Sequence, residues 1–268
     1  MDTDTHSIEL YVLDMDGTIY LGNRLFPETL PFLQRVRDHG KKYIFFTNNS
    51  SRSPRTYVDR LNDMGIAVTR KDIVTSGDVM VHFLKTHRPG KSVYLVGTPD
   101  LEQSFAAEGI PLFKEGTGEQ AHTLIPDIVL LGFDTTLDYH KLDRACHYLR
   151  NGAEFLCTHE DINCPTEYGF MPDAGAMCAL ITASTGVKPR FTGKPHEEVL
   201  EILEAKTGIP RSHMAAVGDR LYTDIALGTL NGVTSILVLS GETTPEDLAA
   251  SSVKPTMVLA NIGELERD

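Results

Sequence analysis

The sequence predicts an α/β protein, a doubly wound, mostly parallel sheet with a smaller α/β domain inserted into it. Three observations carry this expectation. Short apolar runs alternate with longer amphipathic segments, the pattern of βα units. The two ends of the chain repeat the same grammar and read as halves of one sheet. The middle has strands and helices of its own, enough to bury a second core within 268 residues.

The elements follow in order. Residues 8–13 read as the first strand, and 27–39 as a helix with Leu30, Leu33 and Val36 at helical spacing and Gly40 at the C-cap position. Residues 43–46 read as a buried strand and 54–64 as the next helix, closed by Gly65. The middle offers strands at 92–96, 127–131 and 154–157, with helices near 101–107 and 140–149. The chain then resumes the first grammar: a helix at 197–206, a strand at 214–217, a helix at 223–230 and a strand at 233–239. Gly208, Gly218 and Gly232 punctuate these elements. The expected domains are a core of 1–85 and 188–268, with an inserted α/β domain at 86–187.

Composition narrows the function. Lys and Arg number 25 against 37 Asp and Glu, a formal charge of −12. This excludes a general electrostatic grip on nucleic acid and means that an anionic substrate needs a local positive site. No run approaches the roughly 20 apolar residues of a membrane span, and the polar opening MDTDTHS lacks the features of a signal peptide. Cys146, Cys157, Cys164 and Cys178 form no CxxC pair and are expected to be buried, reduced thiols. A soluble, cytoplasmic protein is the expectation, with a homodimer as one possible assembly.

In open α/β sheets the functional edge lies outside the carboxyl ends of the strands. Each polar cluster of interest falls there. Asp14 and Asp16 follow the first strand, Thr47, Asn48 and Asn49 follow the second, and Asp219 follows the strand at 214–217, with Asp224 in the helix after it. Lys194 sits in a Gly-Lys-Pro turn before a helix. Singly, each has a plainer reading as a cap, a turn or a solvated charge. Together they are a reaction centre for phosphate. Asp14, ionised at neutral pH, can attack phosphorus without a general base. The repulsion between it and a phosphate monoester must be cancelled, by Lys194 and by a divalent ion; oxygen ligands such as Asp14, a backbone carbonyl and Asp219 select a hard one, Mg²⁺. Thr47 and the N–H groups of Asn48 and Asn49 can hold phosphate oxygens. Asp16 is placed to protonate the leaving alcohol and then to activate water. P-loop, GxSxG, HExxH and EF-hand patterns are absent. His159, beside Glu160 and Asp161, reads as part of a wet loop rather than a metal site.

"DMDGT" at 14–18, "FFTNN" at 45–49, "GKP" at 193–195 and "GDRLYTD" at 218–224 resemble the four ordered motifs of the haloacid dehalogenase superfamily. The wider spelling and the insertion between the second and third motifs are similar to its NagD-like subfamily with a type IIA cap. The resemblance implies a Rossmann-like core, Asp14 as nucleophile and Asp16 as acid/base, and Mg²⁺ held by Asp14, the Asp16 carbonyl and Asp219, with Asp224 supporting it. It also implies that Thr47, Asn48, Asn49 and Lys194 bind the phosphoryl group. The presence of Asp16 points to a phosphatase or phosphotransferase rather than a dehalogenase, and the first reading is a phosphatase of small cytosolic phosphomonoesters. The alternatives are a phosphometabolite-binding or regulatory protein, or a phosphotransferase. The cap loop at 158–173 is the expected leaving-group contact.

Overall fold

Four consecutive apolar residues, Leu10–Leu13, form β1, and all four are buried, as a central strand covered on both faces requires. In this computed structural model, which describes residues 5–116, 123–166 and 169–267, the chain continues through a short hairpin, β2 (Tyr20–Leu21) and β3 (Arg24–Leu25), to α1 (Thr29–Asp38), β4 (Lys42–Thr47), α2 (Pro54–Asp63) and β5 (Ile73–Thr75). Next come α3 (Ser76–His87), β6 (Val93–Val96), α4 (Pro99–Ala107), β7 (Ile128–Leu131), α5 (Tyr139–Arg150) and β8 (Glu154–Cys157). A second hairpin, β9 (Asn163–Thr166) and β10 (Gly169–Pro172), precedes α6 (Ala174–Thr185), β11 (Arg190–Phe191), α7 (Glu198–Thr207) and β12 (Met214–Gly218). A π-helical turn (Leu221–Ile225), α8 (Ala226–Asn231), β13 (Thr234–Val238), α9 (Pro245–Ala250) and β14 (Met257–Leu259) complete it. Among the described residues no helix is long and apolar enough to cross a membrane.

Two compact units result. Residues 1–47, 54–74 and 194–268 make one, and 48–53 with 75–193 the other. The first is a six-stranded sheet in the order β14-β13-β12-β1-β4-β5, so both ends of the chain do contribute halves of one sheet. The β1–β4, β1–β12, β12–β13 and β13–β14 pairs are parallel. Tyr11, Leu13, Phe32, Leu33, Val36, Phe45, Leu61 and Val217 share its largest apolar cluster. Leu30, expected on the inner face of α1, is 43% exposed; the stripe that packs is Phe32, Leu33 and Val36. The helix expected at 223–230 opens instead as the π turn, where the Ile225 N–H donates to the Arg220 carbonyl five residues back (3.2 Å).

The second unit is a four-stranded parallel sheet, β11-β8-β7-β6. Alternate residues of β7 serve its two faces: Val129 and Leu131 join Tyr148, Phe155 and Ile181, while Ile128 and Leu130 join Phe83, Leu101 and Phe105. The boundary expected at 86 therefore falls earlier. The apolar side of α3, with Met80, Phe83 and Leu84, packs against Val93, Leu101 and Phe105, so α3 belongs to this unit. Cys146, Cys157 and Cys178 are buried as expected, whereas Cys164, on β9, is only half-buried; all four are free thiols.

The 158–173 segment is an antiparallel hairpin on a buried polar base. Residues 167 and 168, within it, lie outside the described residues. His159, expected in a wet loop, is fully buried. Its Nε2 lies 2.9 Å from Asp173 Oδ1, and Asp161 beside it accepts from Asn48 Nδ2 (3.2 Å). Asp173 also caps α6 through the Ala174 N–H (2.6 Å). Ser50 Oγ pairs with Thr158 Oγ1 (3.0 Å) and accepts from the Phe133 N–H (2.9 Å), which ties residues 48–53 to this unit. Burial disfavours the imidazolium, but the hydrogen bond and charge of Asp173, with the charge of Asp161, outweigh it and lift the His159 pKa to about 9.

His159→Ala is expected to cost about 3 kcal/mol of unfolding free energy, because it removes the cation that offsets two buried carboxylates. The pKa is raised on folding, so the imidazolium's contribution is complete below about pH 6.5 and is lost as pH rises through about 9. Denaturant unfolding of both proteins between pH 6 and 10 checks this, since the gap between them should narrow with pH.

Candidate active site

The strand order reverses between β1 and β12, which lie side by side with Leu13 opposite Val217. Such a switch point opens a crevice at the carboxyl ends of the strands. The Asp14 N–H continues the ladder, donating to the Val217 carbonyl (2.9 Å), and this sets Asp14 at the rim. Asp219 leaves the adjacent strand one residue after Gly218, and Thr47 is the last residue of β4 on the other side.

Lys194 holds the centre. Its Nζ donates to Asp14 Oδ1 (2.6 Å) and to Asp224 Oδ1 (2.5 Å), and lies 5.2 Å from the centroid of the Phe46 ring. Lys194 and Asp224 are buried, and the Asp14 side chain keeps 16% of its exposure. Burial opposes the ammonium, but the charges of Asp14 and Asp224 outweigh it and raise its pKa. The second Asp224 oxygen accepts from the Arg220 N–H (3.2 Å), so both of its oxygens are engaged. Burial lifts Asp14 to about 6, with Lys194 pulling down and Asp224 pushing up. Asp219 is lifted to about 8, by burial first and then by the charges of Asp14 and Asp224.

Asp219 is walled in by glycines. A Cβ on Gly17, whose φ is +82°, would stand 2.3 Å from Asp219 Oδ2, and one on Gly241 would stand 2.0 Å from the same atom. Both positions admit no side chain. Asp219 Oδ2 accepts from the Glu242 N–H (2.6 Å), whereas its Oδ1 is buried with no hydrogen-bond partner among the described residues. One ligand atom from each of Asp14, Asp219 and Asp224 lies within 4.8 Å of the others. An orphaned acceptor, three crowded carboxylates and only oxygen donors fit a hard divalent cation, which takes oxygen ligands at about 2.0–2.6 Å.

Asp16 differs from these. It is exposed, and its side chain is not one of the three clustered carboxylates; the sequence expectation concerned its backbone carbonyl. Crowding by the surrounding chain raises its pKa, while the charges of Arg60 and Arg220 and a backbone hydrogen bond from Gly22 oppose the rise.

The structure thus brings Asp14, Lys194, Asp219 and Asp224 together in the first unit. Thr47 belongs to that unit too, but the division falls directly after it, and Asn48 and Asn49 count with the second. Asn48 engages Asp161, and Asn49 Oδ1 accepts from the Ser51 N–H (2.9 Å) and hydroxyl (2.7 Å), an Asx turn that shapes the loop. Two groups had no role in the sequence reading. Arg220 pairs with Glu242 (2.9 Å) and adds positive charge beside Asp14 and Asp219; its position directly after a motif aspartate was the available signal. The Ser240 hydroxyl donates to the Gly17 carbonyl (2.7 Å), and nothing in its local sequence marks it.

Two family models match the chain, "Haloacid dehalogenase-like hydrolase" over residues 11–111 and a HAD-hydrolase-like model over 191–265. The chain belongs to the haloacid dehalogenase superfamily of hydrolases. It is 34% identical to an acid sugar phosphatase of Staphylococcus saprophyticus over 262 residues, covering 96% of each chain. It also superposes on a 4-nitrophenylphosphatase of Thermotoga maritima with a TM-score of 0.91 at 46% identity, covering 98% of both chains. A glycerol phosphate phosphatase of Mycobacterium tuberculosis in complex with magnesium gives a TM-score of 0.86 at 30% identity, over 96% of this chain and 76% of that one. The family and the α/β fold expected from the four motifs are therefore correct.

Because three carboxylates crowd one place, neutralising one should stabilise the metal-free protein. Asp219→Asn is expected to raise its unfolding free energy by about 2 kcal/mol, or several degrees in Tm. Millimolar Mg²⁺ or Ca²⁺ should raise the Tm of the native sequence and leave that of Asp219→Asn unmoved. Thermal unfolding in EDTA and in each metal reads both.

Proposed function

We propose that this hydrolase cleaves small phosphomonoesters through a phospho-aspartate on Asp14, with a divalent cation, Mg²⁺ by preference, as cofactor. The chain is a phosphoric monoester hydrolase of its superfamily. The observation that carries the reading is the buried Lys194 ammonium held between Asp14 and Asp224, beside the unpartnered Asp219 oxygen. Relatives whose names specify a sugar phosphatase and a glycerol phosphate phosphatase favour alkyl phosphates as the substrate class.

In the first step an Asp14 oxygen bonds to phosphorus as the bond to the ester oxygen breaks. The electron pair of that bond goes to the leaving oxygen, which takes a proton from Asp16. In the second step water attacks the acyl phosphate and gives a proton to Asp16; the bond between phosphorus and Asp14 breaks, releasing phosphate and the free carboxylate. Lys194 orients Asp14 and offsets negative charge on the transferring group. Thr47 and the N–H groups of Asn48 and Asn49 hold phosphoryl oxygens for in-line attack. Held by Asp14, the Asp16 carbonyl and Asp219, with Asp224 behind them, the cation would withdraw charge from those oxygens.

The two aspartates suit unequal tasks. Asp14 is fixed by Lys194 and partly shielded from water, as a nucleophile must be to hold one line of attack. Asp16 is exposed, where an alcohol can leave past it and water can enter.

Asp14→Ala, and EDTA on the unmodified enzyme, should each lower phosphatase turnover at least about 1,000-fold in a steady-state assay. Retained turnover in either would refute the reading. Asp16→Asn should abolish steady-state turnover while inorganic phosphate still binds within a few fold, measured by competition. A binding loss as large as the rate loss would contradict the acid/base assignment.

A further inference from the structure

Asp16 is the exposed carboxylate of the site, and an exposed aspartate on a loop has rotamer freedom that a general acid must surrender. The hairpin β2–β3 provides the restraint. Asp16 bridges to Tyr20 along the backbone, where the Gly17 N–H donates to the Tyr20 carbonyl (2.8 Å). The hairpin turn at Gly22 follows directly on β2, and the charge of Arg60 acts on the Asp16 carboxylate. Gly22 has φ +56°, and a Cβ there would meet open space among the described residues, so that side of the turn is not packed.

Arg60, on α2, holds it from elsewhere. Its Nη2 donates to the Gly22 carbonyl (2.6 Å), and its guanidinium carbon lies 4.4 Å from the centroid of the Tyr20 ring. Tyr20 is buried in the main apolar cluster, so the ring is a fixed platform for the cation. One planar side chain therefore grips both the strand that Asp16 bridges to and the turn that follows it. A lysine could offer the charge but not both contacts in one plane.

We infer that Arg60 is a positioning residue for the general acid, acting through Tyr20 and Gly22 on Asp16. The inference rests on the acid role proposed for Asp16. Proton delivery matters in proportion to how badly the leaving group needs it. An alkoxide needs the proton, whereas p-nitrophenolate leaves as a stable anion. As the phosphorus–oxygen bond of an alkyl ester breaks, the Asp16 proton ends on the ester oxygen; a displaced Asp16 delivers it poorly, and an aryl ester of the same phosphate is spared.

The experiment compares kcat/KM for glycerol phosphate and p-nitrophenyl phosphate, since kcat/KM reports the steps up to loss of the first product. Arg60→Ala, Arg60→Lys and Asp16→Asn are measured beside the native enzyme, with circular dichroism and thermal unfolding to confirm folding. Arg60→Ala should lose at least tenfold more kcat/KM for the alkyl ester than for the aryl ester, and Arg60→Lys should lose an intermediate amount. Asp16→Asn, which does not turn over, should show the same preference more strongly in the rate of its first release of alcohol or phenol, read under single-turnover conditions. Equal losses on both esters in the Arg60 variants, or no loss on either, would overturn the inference. An Asp16→Asn enzyme with no preference between the esters would instead overturn the acid role, and the inference with it. Should Arg60→Ala not fold, Arg60→Lys decides alone by the same ratio.

Discussion

A buried ammonium bonded to two carboxylates from distant parts of the chain is the contact on which the site depends. Lys194 approaches Asp14, 180 residues earlier, and Asp224, 30 residues later. Withdrawing such a charge from water costs several kcal/mol, and the cost is offset only where hydrogen-bonded carboxylates meet it. The sheet has to supply both partners at once. β1 delivers Asp14, and the π turn after β12 delivers Asp224, with both of its oxygens occupied by Lys194 and the Arg220 N–H. Here the widened turn has a physical reason. It returns the Arg220 N–H to Asp224 while Asp224 reaches the lysine.

The same arrangement leaves a deficit. Asp14, Asp219 and Asp224 stand against Lys194 and Arg220, and the Asp219 oxygen not bonded to Glu242 has no donor among the described residues. Packing enforces the crowding rather than relieving it, since Gly17 and Gly241 give Asp219 the space that any side chain would take. A fold selected for stability alone would remove a carboxylate here. Its retention is what one expects where a cation completes the charge balance; burial raises the pKa of both Asp14 and Asp219, and at Asp219 the charges of Asp14 and Asp224 add to it.

Much of this was legible in the sequence because strand ends are legible. A buried run followed by a glycine-flanked acid, as in LDMDG and VGD, fixes the residue at the rim of a parallel sheet, and the doubly wound order then brings the rims together. What escaped were properties set by contacts between segments far apart in the sequence. His159 sits among polar residues and is nevertheless fully buried, because Asp173, 14 residues on, supplies the charge that makes burial tolerable. Helix α3 adjoins the sheet of the first unit in sequence, yet its apolar face matches Leu101 and Phe105. Arg60 looks like any polar residue on the outer face of an amphipathic helix, and only the hairpin reveals what it touches.

Asp14 and Asp16 carry the division of labour furthest. They are the same residue type, two positions apart, and their intrinsic acidity is equal. Burial with a lysine fixes one, while the other stays exposed on a hairpin-braced loop. In the acid role proposed for it, Asp16 must be re-aimed after each exchange, and a carboxylate tethered only by its own backbone would lose that aim to rotamer motion. The brace through Gly22 and Tyr20 meets this need without enclosing Asp16. On that reading Asp16 stays open to leaving groups of different shape, so discrimination among them has to come from contacts outside the Asp14, Lys194 and Asp219 cluster.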